Sequence, residues 1–266
     1  MRRLLGLSAL LLITITGCAK NEVGGAKTSS RQGGNEWRSI PLVKDGKVAP
    51  GWAHLGYGSF AVDDGALRTD ADERGLGLLL YTGEKFGDCQ VRVIYRAEKP
   101  TSNAGVFIRI DDGVREHLKD KTPAATRSES GTLTPEGMKA MQEASEKELG
   151  AWYAVHHGYE VQIADAGDEF HRTGAIYSFT KATSVPPKSP GAWREMLITL
   201  KGTDVFVDLD GQRVSEFDSE SEDLPPRKQW HEPRREHKRP PAGHIGLQVH
   251  DPGDVVWFKE VSVKPL

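Results

Sequence analysis

The strongest candidate for chemistry is a short polar run between positions 158 and 165. It reads Gly-Tyr-Glu-Val-Gln-Ile-Ala-Asp, so polar and aliphatic residues alternate. Successive side chains of a β-strand point to opposite faces, so Glu160 and Gln162 share one face while the aliphatic residues beside them face a core. A carboxylate beside an amide can move a proton and bind polar groups of a ligand. Asp165 is out of step and joins that face only if the strand ends or bulges.

Other strand-like runs offer polar side chains opposite their aliphatic residues in the same way. Gln248 and His250 alternate with leucine and valine, and Arg109 follows three apolar residues. Tyr177 follows a short apolar segment, and His171 precedes that segment and can reach the same face from a loop. On the concave outer face of a β-sandwich, these side chains would line the path of an extended sugar.

No sequence motif indicates a metal or a cofactor. His156 and His157 are adjacent, and in a strand their side chains would diverge, so we do not expect them to bind a metal together. HExxH, P-loop, GxSxG and helix-linked GxGxxG patterns are absent from the sequence. We therefore expect no cofactor, no metal, no serine-based hydrolysis and no nucleotide binding.

Short β-like runs with Gly, Pro and Asp between them must position these residues. The sequence predicts hairpins at residues 63–65 and at Asp210-Gly211, each flanked by β-like runs. Many short strands at this spacing predict an all-β, two-sheet antiparallel sandwich of jelly-roll topology. Thr134 followed by Pro135 predicts the start of a short helical insertion that ends near Gly150. We expect residues 219–241, which are rich in charge and proline, to form a solvated surface loop.

The N-terminus resembles an export signal. Arg2 and Arg3 precede a 13-residue, mostly apolar run that is too short to span a membrane. Ile-Thr-Gly then precedes Cys18, as in the lipobox of bacterial lipoproteins. We therefore expect a signal peptide over residues 1–17 and a lipid anchor on Cys18 in the cell envelope, at the outer membrane or the periplasmic face if the cell is Gram-negative.

Composition restricts the remaining possibilities. Residues 18–36 are rich in Gly, Ser and Lys and predict a flexible tether, which leaves residues 37–266 as one domain. The formal net charge of −3 argues against nucleic acid as a partner. With Cys18 lipidated, Cys89 has no partner for a disulfide in the chain, so we expect it to serve packing.

Several ordered motifs resemble the 3-keto-disaccharide hydrolase family, whose fold is that of the concanavalin A-like lectins and glucanases. The resemblance covers roughly residues 36–266. It rests on the 158–165 run, Thr173 to Tyr177, Trp193, Gly243 to His250, the strand from Asn103 to Arg109, and the final strand from Val256.

The resemblance implies cleavage of a glycosidic bond in a sugar that is oxidised to a ketone at C3. One base and one partner for the enolate suffice for this chemistry, so a pair of catalytic carboxylates is not required. It implies Glu160 or His250 as the base and Arg109 as the group that polarises the ketone. The residues implied in substrate binding are Gln162, Asp165, Tyr177, Gln248 and His171.

Two alternatives stay open at this stage. The chain could be a non-catalytic carbohydrate-binding lipoprotein of the envelope, because the fold hosts many lectins and does not by itself fix function. It could also be a structural protein of the envelope that uses residues 219–241 as a contact surface.

Overall fold

The computed structural model describes residues 36–183, 188–189, 191–221 and 223–266. The predicted signal peptide, Cys18 and all but the last residue of the predicted tether lie outside these ranges. Strands form most of the regular structure in the described chain. They are β1 (Arg38–Ile40), β2 (Val43–Lys44), β3 (Lys47–Val48), β4 (Trp52–Gly56), β5 (Ser59–Asp63), β6 (Ala66–Asp70), β7 (Gly77–Tyr81), β8 (Cys89–Ala97), β9 (Ala104–Ile110), β10 (Tyr159–Ile163), β11 (Arg194–Lys201), β12 (Asp204–Leu209), β13 (Gln212–Asp218), β14 (His244–Val249) and β15 (Val256–Pro265).

The strands form two large antiparallel sheets, as the sequence predicted. One has the order β13-β12-β11-β8-β15-β6-β5, with β1 also paired to β15. The other has the order β10-β9-β14-β7-β4 and is called the five-stranded sheet below. Apart from β9 and β10, its paired strands are not consecutive in the sequence, so its assembly depends on long-range contacts. The predicted hairpins connect β5 to β6 and β12 to β13, with left-handed backbone at Asp64, Gly65, Asp210 and Gly211.

The core lies between the two sheets and is built by period-two alternation. On β10, Val161 and Ile163 are buried in this core, as predicted. Cys89 is a free, buried thiol in the same core, and burial raises its pKa to about 12. Its position fits the packing role predicted from the sequence.

The helical insertion between β9 and β10 contains more than the one helix predicted. It holds a 3₁₀ helix (Asp112–Lys119), α1 (Pro135–Glu146) and α2 (Ala151–His157). The Thr134 hydroxyl accepts a hydrogen bond from the backbone N–H of Gly137, which confirms the predicted N-cap. His156 and His157 belong to α2, so the divergence of their side chains that a strand would impose does not apply to them. None of the helices in the described ranges is long and apolar enough to cross a membrane.

A second apolar cluster joins the five-stranded sheet to this insertion. Leu78, Leu80 and Phe107 of the sheet belong to one cluster with Trp152 and Val155 of α2. The insertion therefore packs on the sheet face that is turned away from the inter-sheet core. This placement makes it a wall above the sheet rather than a free appendage.

Two arginines of residues 219–241, Arg235 and Arg239, are not free in solvent as a solvated surface loop would have them. The Arg235 guanidinium lies 4.3 Å from the ring centroid of Phe179 and donates to the backbone oxygen of Ser178. The Arg239 guanidinium lies 5.0 Å from the ring centroid of Tyr159, and burial lowers its pKa to about 10. Aromatic rings and backbone carbonyls thus bind these arginines to the fold.

Candidate functional site

A cavity of about 570 Å³ lies over the outer face of the five-stranded sheet. The sheet forms its floor, and the helical insertion and residues 219–241 contribute its walls. This volume falls within the range of roughly 300–1,000 Å³ that is usual for small-molecule sites. The lining residues are Leu76, Pro100, Thr101, Asn103, Met141, Trp152, Val155, Glu160, Gln162, Ala164, Ala166, Gly167, His171, Tyr177, Trp230, His231, Gln248 and His250.

Six of the eight residues predicted for the site line this one cavity. Glu160 and Gln162 point up from β10 because their aliphatic neighbours point down into the core. Gln248 lies on β14, which is separated from β10 by β9 alone, and His250 follows that strand directly. Tyr177 and His171 reach the cavity from the segment after β10.

The structure does not bring Arg109 to the cavity. Arg109 has a left-handed backbone with φ 52°, and the pairing of β9 with β14 shifts register next to it. This irregularity breaks the alternation on which the prediction depended. The guanidinium instead lies 3.7 Å from the carboxylate of Asp88, so Arg109 is not placed to polarise a ketone in the cavity.

Asp165 is also absent from the cavity lining. It follows the end of β10 and accepts a hydrogen bond of 2.5 Å from the Thr173 hydroxyl. Arg194 donates a longer one of 3.4 Å to the same carboxylate. These contacts fix the loop after β10, so the predicted substrate role of Asp165 has no support from its position.

Glu160 is a buried carboxyl whose environment favours the neutral form. Its side chain is 8% exposed. Burial raises its pKa to about 8, although the positive charge of His250 and hydrogen bonding by the Gln248 amide oppose the rise. The carboxyl is therefore mostly protonated at pH 7 and becomes a base as the pH increases through 8.

The environment of His250 favours the charged form of its side chain, in contrast to that of Glu160. Its Nδ1 lies 3.0 Å from an oxygen of Asp254, and Asp251 is 3.8 Å away. Burial lowers the pKa of His250, but the Asp254 hydrogen bond and the charges of Asp251, Asp254 and Glu160 outweigh that effect and raise it. The site thus pairs a carboxyl with an imidazole that favours its cationic form. The sequence analysis missed Asp254, although it is four residues after His250.

Amide and phenol groups surround this pair. Gln162 donates through Nε2 to Asn103 at 3.1 Å, and the Oε1 atoms of Gln162 and Gln248 have no hydrogen-bond partner among the described residues. The Tyr177 hydroxyl lies 2.9 Å from Nδ1 of His231. Burial lowers the pKa of His231 and raises that of Tyr177, so both are neutral at pH 7. A ligand rich in hydroxyl groups would satisfy the two amide oxygens.

Apolar side chains complete the walls, and the sequence analysis did not identify them. The rings of Trp152 and Trp230 lie 5.5 Å apart between centroids. The Ser145 hydroxyl donates to the backbone oxygen of Trp230 at 3.1 Å, which holds residues 219–241 against α1. Indole rings beside polar groups suit a ligand with both apolar C–H faces and hydroxyls.

Gly105 on β9 leaves the space that the Glu160 carboxyl occupies. A Cβ at Gly105 would lie 2.3 Å from Glu160 Oε1, closer than non-bonded atoms can approach. We expect Gly105→Ala to turn the carboxyl aside and to lower turnover of the 3-keto sugars that the sequence resemblance implies at least about tenfold, because small misplacements of a reacting group are costly. Steady-state kinetics test this.

Gly87→Ala is the matched control for that change. A Cβ there would meet its nearest atoms at 3.8 Å, and Gly87, like Gly105, does not have a left-handed backbone. Its turnover should equal that of the original chain. Equal turnover in the Gly105 variant as well would show that the position of the Glu160 carboxyl does not matter.

The fold and the site define a class of protein, the lectin- and glucanase-like β-sandwiches with a cavity on one sheet that polar and apolar side chains line together. Within that class, the chain belongs to the family of 3-keto-alpha-glucoside-1,2-lyase-like domains, whose model matches residues 36–264. Family membership agrees with the resemblance inferred from the sequence motifs and supports a glycosyl-hydrolase-like or carbohydrate-binding function. A search of curated protein sequences finds no match.

Solved structures share the fold. A proposed glycosyl hydrolase from Parabacteroides distasonis is 21% identical, with a TM-score of 0.54, over 87% of this chain and 100% of that one. A second from the same organism is 16% identical, with a TM-score of 0.54, over 81% and 88%. A Bacillus subtilis protein of unknown function with a galectin-like fold is 12% identical, with a TM-score of 0.50, over 86% and 98%. At these identities the likeness establishes the jelly-roll fold.

Proposed function

We propose that this protein cleaves the glycosidic bond of sugars that carry a ketone at C3, by elimination followed by hydration. The observation that carries the proposal is that Glu160 and His250 line one cavity. Burial raises the pKa of the Glu160 carboxyl, and nearby carboxylates raise the pKa of His250, so the site offers a carboxylate base together with a protonated imidazole. Membership of the family of 3-keto-alpha-glucoside-1,2-lyase-like domains supports a 3-keto glycoside as the substrate class.

The chemistry begins at C2 of the sugar. A C3 ketone acidifies the C2 proton, and the Glu160 carboxylate takes that proton while the C2–H electrons form an enolate. The enolate then expels the group at C1, whose oxygen receives a proton as the C1–O bond breaks. The product is a C1=C2 alkene conjugated to the ketone. Water then adds across this alkene and gives the free 3-keto sugar.

The cationic role that the resemblance assigned to Arg109 passes to His250. Its raised pKa favours the imidazolium, which can stabilise the negative charge on the ketone oxygen or protonate the leaving group. Gln162, Gln248 and Tyr177 line the same cavity and would hold the remaining hydroxyls. Because Glu160 must be ionised and His250 protonated, we expect turnover to rise as the pH approaches the Glu160 pKa of about 8, and to fall where His250 loses its proton.

The proposal includes a location. A lipid anchor at Cys18 and the Gly- and Ser-rich residues 19–36 would hold the domain at the cell envelope, where glycans arrive. The same location would suit a carbohydrate-binding protein, so location does not separate the two functions.

A substrate panel tests the proposed function. Residues 19–266 are incubated with 3-keto disaccharides and their unoxidised parents, and products are identified by mass spectrometry. We expect cleavage of the oxidised sugars and none of the parents, because the parents have no acidic C2 proton. Tight binding of both sets without any product would instead identify a non-catalytic carbohydrate-binding protein.

A further inference from the structure

A cluster of three metal-ligating side chains lies outside the cavity and has no part in the proposed reaction. Glu148 follows α1, His157 ends α2, and His237 belongs to residues 219–241. Nε2 of His157 lies 2.8 Å from one carboxylate oxygen of Glu148, and Nε2 of His237 lies 2.9 Å from the other. The potential ligand atoms of all three lie within 4.8 Å of one another, so one ion can contact all of them after small adjustments.

The surrounding contacts orient both imidazoles. Nδ1 of His157 lies 2.8 Å from an oxygen of Asp111, the carboxylate contact that metal-binding histidines commonly make through the second ring nitrogen. The His157 ring stacks on Tyr153 at 4.0 Å and on His237 at 4.1 Å between centroids. The side chains of His157, Glu148 and His237 are 14%, 19% and 28% exposed, so solvent can deliver an ion and supply a further ligand.

We propose that Glu148, His157 and His237 bind a divalent transition-metal ion, with water completing the coordination. Two imidazole nitrogens and one carboxylate oxygen form a donor set suited to Zn²⁺, whereas Mg²⁺ prefers oxygen ligands. The Asp111 carboxylate accepts a hydrogen bond from the proton on Nδ1 of His157, and the ion would replace the proton that Nε2 shares with Glu148.

One neighbour opposes the metal. Nε of Arg234 lies 3.2 Å from the Glu148 carboxylate, and Nη2 of Arg234 donates to the backbone oxygen of Glu146. A guanidinium at this distance neutralises Glu148 and repels a dication. Metal binding therefore competes with Arg234, and removal of its charge should strengthen binding rather than weaken it.

The location suggests what the metal does. Trp152 and Val155 turn one face of α2 towards the cavity, while Tyr153 and His157 lie on another face of that helix. His237 belongs to the same segment as Trp230, which forms the neighbouring cavity wall. An ion held by Glu148, His157 and His237 would therefore fasten the two walls to each other without entering the site. We therefore expect metal binding to raise the Tm of the protein.

Calorimetric titration of the untagged, chelator-treated domain with ZnCl2 tests the proposal, with MgCl2 titrated in parallel. We expect one Zn²⁺ per chain, a higher Tm with zinc and no response to Mg²⁺. Replacement by Co²⁺ should give visible absorption bands from the same site. Absence of saturable zinc binding would overturn the proposal.

Four variants make the test specific. His237→Ala and Glu148→Gln should each weaken zinc binding about 100-fold or more, since each removes a direct ligand. Arg234→Gln should strengthen it, and His54→Ala, outside the cluster, should leave it unchanged. The Tm of each variant without zinc establishes that it folds. Equal zinc affinity in the His237, Glu148 and original chains would contradict the assignment.

Discussion

Glu160→Gln is expected to lower kcat on a 3-keto glycoside by about 1,000-fold, the scale of a general base whose carboxylate is lost. Glutamine keeps the size and the hydrogen-bonding shape of the side chain but cannot accept the C2 proton. Because Glu160 is buried, we expect water to be a poor substitute for it as the base. KM should change far less than kcat, because the hydroxyl contacts of the neighbouring amides remain. Steady-state kinetics near pH 8 measure both.

The same substitution should stabilise the fold at alkaline pH. The Glu160 pKa is raised to about 8 in the folded chain, so between its ordinary value and 8 the folded state holds a proton that the unfolded state has lost. Stability therefore falls as the pH rises through that range. Glutamine removes this cost, on the order of a few kcal/mol at pH 8. Thermal unfolding at pH 4 and pH 8 measures the difference.

Glu129→Gln serves as the matched control for both readouts. Glu129 is exposed and lies outside the cavity lining. Its variant should match the original chain in turnover and in the pH dependence of Tm. If Glu160→Gln also keeps full turnover, Glu160 has no part in the reaction.

His250→Gln is expected to lower kcat by about 100- to 1,000-fold, the scale seen when one group that stabilises an oxyanion is removed. A glutamine amide can still donate a hydrogen bond but supplies neither the positive charge nor the proton. Because Asp254 orients the ring through Nδ1, the catalytic face of His250 is expected to be Nε2. Unchanged kcat would exclude His250 as the enolate partner.

We expect Asp254 to affect turnover by raising the pKa of His250. The pH dependence of turnover in an Asp254 variant tests this. Asp254→Asn lowers the pKa of His250, so the decline of turnover on the alkaline side should move to lower pH. Asp251→Asn should move it less, because Asp251 is 3.8 Å away while Asp254 makes a 3.0 Å hydrogen bond. A uniform loss at every pH in the Asp254 variant would indicate a purely structural role.

The sequence predicted the fold and the cavity residues that lie on strands, because both depend on the alternation of side chains along a strand. Glu160 and Gln162 face the cavity for the same reason that Val161 faces the core, and Gln248 obeys the same rule. The hairpin at Asp210 is equally local, since its turn residues specify the left-handed backbone. Such features need no knowledge of which strands become neighbours.

The site residues that the sequence misplaced or missed depend on irregular backbone or on tertiary contacts. Arg109 lies where β9 changes register, and no alternation rule predicts which strand will bulge. Asp165 is bound by Thr173 and Arg194, which are distant enough in the chain to be invisible to a local pattern. Trp152 and Trp230 reach the cavity because insertions fold back over the sheet, as the packing of α2 shows. Helix and loop residues of this kind become site residues only through the fold.

The fate of the C2 proton tests the central claim most directly. Residues 19–266 are mixed with a 3-keto disaccharide in D2O, and the released sugar is examined by NMR and mass spectrometry. Elimination followed by hydration predicts deuterium at C2 of the released 3-keto sugar, and release about 1,000-fold slower by the Glu160→Gln variant. Release of a sugar that keeps its original C2 proton, under conditions where the free product does not exchange, would show direct hydrolysis at C1 and contradict the account.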